Sequence, residues 1–314
     1  MTGPISTAHA LPLPVTGGLG RKRHRDVREK LVELLMVLAA SFSVCVTAGI
    51  IFVLVSEALG FFRHVSVKEF LTDTEWMPLF AVPRHGILPL VSGTLMTTGV
   101  ALLVALPIGT IVAIYLSEFA PHWLRESMKP LLELLNAVPT VVYGYFALLF
   151  IAPLLQTIIP NLPLFSILSA GLVMGIMIVP YVSSLSEDAL RSVPMILREG
   201  SYALGAGKLW TALRVVVPAA LSGIGAAYIL AISRAVGETM IVAIAAGMQP
   251  NLTWNPTEPA QTITAYIVQV SLGDLPHGSI GYQSIFAAGL TLFVLTLGFN
   301  VVGHFLRTRL RQAY

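Results

Sequence analysis

Arg234 and Glu238 are charged residues set inside an apolar stretch, Tyr228-Ile-Leu-Ala-Ile-Ser-Arg234-Ala-Val-Gly-Glu238-Thr-Met240. An arginine at the centre of a membrane costs about 2.5–3.5 kcal/mol on insertion scales, so it must face the protein interior or water. A carboxylate four residues further along a helix lies one turn away on the same face, and the pair is expected to share its cost. The planar guanidinium fork also matches two oxygens of a tetrahedral oxyanion. Two readings follow. The pair is either a structural ion pair within one helix or a polar station on an anion pathway, with Glu238 holding Arg234 between passages. Gly223, Ala227, Ala231 and Ala235 place a small residue at every fourth position of the same stretch. Such a stripe lets helices approach closely, so this segment is expected at the centre of a bundle.

Other chemistry is sparse. Gly205-Ala206-Gly207-Lys208 is not a phosphate-cradling loop, because the required pattern needs glycine where Tyr202 stands and Ser or Thr where Leu209 stands. The chain has no other such loop, so any ATP that drives it is expected on another subunit. The single cysteine, Cys45, permits no disulfide framework within the chain.

The elements that must hold Arg234 follow from composition. Hydrophobic residues make up 55% and charged residues 11% of the 314, with a mean hydropathy of +0.80. That excludes a disordered chain and leaves too little polar surface for an ordinary soluble enzyme. The fold class expected is all-α, a polytopic membrane protein. Six stretches are long and apolar enough to cross a bilayer: Leu34–Phe61, Leu88–Leu116, Leu131–Ile159, Leu164–Leu185, Ala219–Gly247 and Ser284–Leu306. The first is too long for a signal-peptide core and is expected to be retained. Pro107, Pro139, Pro153 and Pro180 fall within spans, as static kinks or as hinges.

With both termini inside, the inside segments hold fifteen of the nineteen Lys and Arg residues, the outside segments hold Arg63, Lys68 and Arg84, and Arg234 is left within a span. The excess of positive charge inside fixes this orientation, and it accounts for the net charge of +3 without a nucleic-acid partner. The expected organisation is a disordered basic tail (1–33), a first transmembrane helix (34–61), an extracytoplasmic segment (62–87), a core (88–306) with a cytoplasmic loop at 187–218, and a short tail (307–314). A short outer helix is expected over Ala260–Leu272. The loop at 187–218 is expected to form two short helices joined by a bend at Gly205-Ala206-Gly207.

That loop carries a resemblance. Glu199-Gly200-Ser201, three residues, Gly205, nine residues, and then Val215-Val216-Val217-Pro218 match the spacing of E-A-A-x3-G-x9-I-x-L-P, the cytoplasmic signature of importer permeases of the ATP-binding-cassette (ABC) class. Gly-Ser stands for Ala-Ala, and valines replace the Ile and Leu. The segments Leu131–Phe146, Pro180–Pro194 and Arg234–Met240 resemble permeases of the phosphate-specific (Pst) system. Tyr115-Leu-Ser-Glu118-Phe-Ala-Pro121 and Gly237-Glu238-Thr239-Met240 are nearer the PstC type than the PstA type. The resemblance covers about residues 86–310 and the helix before them.

It implies a type I ABC importer permease fold in the bacterial inner membrane. Glu199, Gly200, Ser201, Ala203, Leu204, Gly205, Ala206 and Pro218 would couple the chain to an ATPase. Its partners would be a second homologous permease, two ATPase subunits holding ATP and Mg, and an extracytoplasmic phosphate-binding protein. No cofactor is expected on this chain, which would transport and not hydrolyse. Permeation of sulfate or molybdate, and ion-coupled secondary transport, are the alternatives.

Overall fold

The computed structural model describes residues 19–276 and 278–310. The first eighteen residues of the expected tail, and the last four of the chain, lie outside the described residues.

Residues 19–53 form a unit of their own, the larger part of helix α1 (Leu19–Phe62). The tail expected at 19–33 is therefore helical, and the span-length part of the helix begins at Arg28. Leu31, Met36, Phe42 and Phe52 are exposed along it. A helix apolar on all sides has no stable place in water and suits a lipid environment.

The second unit begins at Leu54, in the last turns of α1. Within residues 62–87, the expected extracytoplasmic segment, the chain forms α2 (Val67–Thr72) and a two-stranded hairpin, β1 (Trp76–Met77) with β2 (Arg84–His85). Ser66 caps α2 by accepting the Glu69 N–H. Phe61, Phe70, Trp76, Ile87, Ile263 and Tyr266 form one apolar cluster there.

The helices that follow are α3 (Leu88–Ile114), α4 (His122–Ala137), α5 (Thr140–Phe146), α6 (Ala152–Ile158), α7 (Ile167–Arg191), α8 (Met195–Ala203), α9 (Lys208–Thr211), α10 (Val217–Ala219), α11 (Leu221–Val236), α12 (Met240–Ala245), α13 (Ile263–Ser271) and α14 (Ile280–Leu310). π-helical turns occupy 115–119, 147–151 and 212–216. The expected outer helix is α13. The expected tail at 307–310 is the end of α14.

The most extensive packing is between α3 and α7. Glycine permits it: a Cβ on Gly171 would lie 2.7 Å from Val100, and one on Gly109 would lie 2.7 Å from Val182. Such distances are too short for any larger residue without displacing a helix. Ala101, Ala105, Ala170, Val173, Met174 and Ile178 fill the core this crossing creates.

Four expected spans keep their places. Two are corrected. Leu131–Ile159 is not one helix, because the chain turns extended at Val138 and Pro139. The span-length part is Thr140–Ile158, and residues 122–137 make a separate amphipathic helix with no buried residue. Ala219–Gly247 is also broken. Its helix α11 stops at Val236, Gly237 ends it, and α12 starts afresh at Met240. The preceding arm, Lys208–Ala219, meets α11 at 70°. Five helices are long and apolar enough to cross a membrane among the described residues, or six if that bent pair counts as one. Pro139 and Pro153 start helices, whereas Pro107 and Pro180 lie inside them.

Candidate functional site

The break after α11 changes the geometry of the two charged residues. Arg234 is in the last turn of α11 and half-buried. Glu238 lies beyond the helix end, so the expected pairing of the two along one face does not form. Gly237 and Glu238 donate their N–H groups to Ser233 O at 3.2 Å and Ala235 O at 3.2 Å, closing the helix. Glu238 then serves α12: its Oε1 accepts the N–H of Met240 at 3.1 Å and of Ile241 at 3.4 Å. A carboxylate at a helix N-terminus satisfies orphan donors and meets the positive end of the helix dipole. The Thr264 hydroxyl donates to the Glu238 carbonyl at 2.7 Å and ties this break to α13.

Arg234 has no ion pair among the described residues. Its Nε is buried without a hydrogen-bond partner. The guanidinium carbon sits 5.9 Å from the centre of the Tyr181 ring on α7. Tyr143 of α5, whose hydroxyl donates to Leu135 O at 2.9 Å, lies within its electrostatic reach. A cation over an aromatic face gains some stabilisation without using its N–H donors, so a fork of donors stays available. The helix beneath it is firmly held. Ala227, Ala231 and Ala235 of the small-residue stripe are buried. Tyr228 shares a 2.6 Å hydrogen bond with Thr110 of α3, and Ser233 donates to Asn300 of α14 at 3.1 Å.

The loop expected between two helices and a bend has that form. α8 and α9 are joined by residues 204–207. Gly205 takes φ +82°, a conformation that glycine adopts without strain, and its N–H donates to Tyr202 O at 2.9 Å. Residues 187–191, assigned to this loop by spacing, are instead the end of α7. Leu204 stands 91% exposed at the tip, with Met195, Ile196, Leu209 and Trp210 also exposed nearby. Exposed apolar side chains grouped in this way mark a protein contact, and Leu204 and Trp210 are the two that meet at the tip. Ser201, Leu204, Gly205, Ala206, Gly207 and Trp210 line a shallow hollow at that tip. Glu199, Gly200 and Ala203 are exposed beside it. Ser201 departs from its expected role: it is buried, and its hydroxyl shares a 2.8 Å hydrogen bond with Thr211 that ties α8 to α9. Pro218 is half-buried in α10, in the next element and not at the tip.

Sequence reasoning missed two polar clusters. In the first, Arg198 of α8 donates to both carboxylate oxygens of Glu118, at 3.2 and 2.8 Å. It also donates to the carbonyls of Val193 at 2.7 Å and Leu190 at 2.9 Å. In the second, Lys129 of α4 contacts Asp188 at 2.6 Å and Glu187 at 3.7 Å, and Arg191 reaches Glu187 at 3.7 Å. The hydrogen bond to Asp188 holds the Lys129 ammonium above its usual range.

Residues 105–312 match the family described as "Binding-protein-dependent transport system inner membrane component". The chain is 33% identical over 289 residues to "Probable ABC transporter permease protein YqgH" of Bacillus subtilis (strain 168), covering 90% of this chain and 91% of that one. It is 32% identical to "Phosphate transport system permease protein PstC" of Xylella fastidiosa (strain 9a5c), covering 92% and 94%. In fold it is similar to a bacterial ABC transporter involved in the import of the acidic polysaccharide alginate. That match has a TM-score of 0.63 at 15% identity and covers 93% of this chain and all of that one.

Proposed function

This chain belongs to the binding-protein-dependent transport system inner membrane components, as a permease subunit of an ABC importer, and on that premise we propose that its cargo is inorganic phosphate. It is a transport subunit and not an enzyme. The observation that carries the cargo reading is Arg234, a guanidinium in the apolar interior with a buried, unpartnered Nε and no acid paired to it among the described residues. Phosphate presents several oxygens to such a fork, and charge-assisted hydrogen bonds are the strong ones. The PstC-type relatives support phosphate over other oxyanions.

The exposed face of residues 195–211 docks on the ATPase, with Leu204 and Trp210 in the contact and the buried Arg198 and Ser201 behind that face. ATP and Mg reside on that partner. A second, homologous permease completes the pathway, and an extracytoplasmic binding protein delivers the anion. The chain lies in the inner membrane with both ends cytoplasmic, as its basic residues favour. ATP binding and hydrolysis drive alternating access at Arg234, with Glu238 fixing the helix break beside it.

The test is uptake of labelled phosphate by the complete complex in sealed vesicles, with sulfate or molybdate as competitor. Uptake that needs the ATPase subunit, resists sulfate and molybdate, and collapses in Arg234→Gln supports the reading. Uptake equally competed by sulfate or molybdate would put the cargo class wrong.

A further inference from the structure

The Glu118–Arg198 contact joins elements eighty residues apart. Glu118 lies in the π-helical turn Tyr115–Phe119 that continues α3 beyond Ile114. π-helical turns are rare and often occur at functional positions. Both side chains are buried, at 10% and 5% exposure, and the bond is bidentate. Ser117 donates a further hydrogen bond to Glu118 at 2.9 Å. From the other arm of the docking segment, the Lys208 ammonium stands 5.3 Å from the Phe119 ring. The Ser201–Thr211 bond locks the two arms together. Beneath the contact, Ala113 of α3, Leu190 of α7, Val193, Val216, Ala220 and Ile224 of α11 form one apolar cluster.

We infer that Glu118 and Arg198 are positioning residues for transport: they fasten the docking segment to the end of α3, so that displacement of α8 by the ATPase moves α3 and, through their close crossing, α7. Two features set this contact apart from an ordinary surface ion pair. It is desolvated, so breaking it leaves a charge without compensation. It also spends four guanidinium hydrogen bonds on three separate parts of the chain, namely the end of α3, the end of α7 and the turn before α8. A guanidinium used this way fixes orientation as well as distance. The inference rests on the reading that residues 195–211 dock on an ATPase.

The experiment uses the complete complex in vesicles and reads three quantities: ATPase co-purification, ATP hydrolysis and anion taken up per ATP. Glu118→Gln keeps the shape and removes the charge, and Arg198→Lys keeps the charge and removes the fork. In both, the ATPase is expected to co-purify and hydrolyse ATP, while anion uptake per ATP falls about tenfold, the order set by losing one charge-assisted bond. An unchanged ratio in both variants overturns the inference, even if both activities fall in step. Loss of assembly in both variants also overturns it, because the contact is then a folding element alone. Failure of the unaltered complex to hold the ATPase is a separate failure, that of the docking reading. If the unaltered complex takes up another oxyanion, the ratio is read with that anion.

Discussion

Arg198 and Arg234 are the same side chain under opposite treatment. Arg198 is buried in α8, with a carboxylate and two carbonyls taking four of its five N–H donors. Arg234 is half-buried in the bundle with an aromatic ring beside it and no acid paired to it among the described residues. Leaving a buried donor without an acceptor or counter-charge costs stability, so Arg234 gains nothing for the fold from its unpartnered Nε. The difference separates a guanidinium committed to protein acceptors from one whose Nε has none. Glu238 sharpens the point. It is close in sequence to Arg234, yet it is committed to the N–H groups of Met240 and Ile241.

Matched variants of the two arginines are expected to behave differently. Arg198→Gln leaves Glu118 buried without its partner, and removing one half of a buried pair costs about 3–5 kcal/mol. Thermal unfolding of the purified protein in detergent is expected to fall clearly. Arg234→Gln removes a cation with no carboxylate partner, and its unfolding temperature is expected to hold or rise. Equal destabilisation by the two would erase the distinction. The next effect is smaller and tests the tip of the clasped segment. Leu204→Asp places a charge in the apolar patch and is expected to weaken ATPase binding by at least about 2 kcal/mol, the scale of an interface hot spot. Binding of the ATPase subunit to the permease in nanodiscs reads it, and unchanged affinity would remove Leu204 from the contact.

His85 is an intermediate case with the smallest effect. It is buried in the hairpin, its Nε2 has no hydrogen-bond partner, and Nδ1 stands 3.9 Å from Glu69. Burial lowers its pKa from 6.5, against the opposing pull of Glu69 and Asp73. A group with a lowered folded pKa contributes stability that is fully present above the unfolded value and is lost as pH falls through the folded one. The segment Val67–His85 is therefore expected to be most protected from hydrogen exchange above about pH 6.5 and to loosen on acidification. His85→Gln should flatten that dependence, and an unaltered pH profile in the variant would assign it to other groups.

Much of the architecture was legible in the sequence because hydropathy and chain length answer to the bilayer. The apolar runs found four spans closely, and the bend at Gly205 followed from glycine chemistry. The misreadings have local causes. Reading helical periodicity through Gly237 placed Glu238 on the face of Arg234, whereas the helix ends between them. Reading apolarity across Pro139 merged an amphipathic helix with a span. The Glu118–Arg198 contact carried no local signal, because the motif that contains Glu118 does not name its partner, Arg198 looks like an ordinary loop charge, and only the tertiary fold brings them together. Ser201 fell within the expected docking motif, but the motif's spacing does not say which of its residues point inward.

The proposed role of Arg234 is to keep its donor fork for an anion. The direct measurement is initial uptake of labelled phosphate by the complete complex carrying Arg234→Lys, at matched ATPase content. Lysine keeps the charge but offers no planar pair of donors. Uptake is expected to fall about tenfold or more, the equivalent of one charge-assisted bond, with the ATPase still bound. Uptake equal to that of the unaltered complex would contradict it.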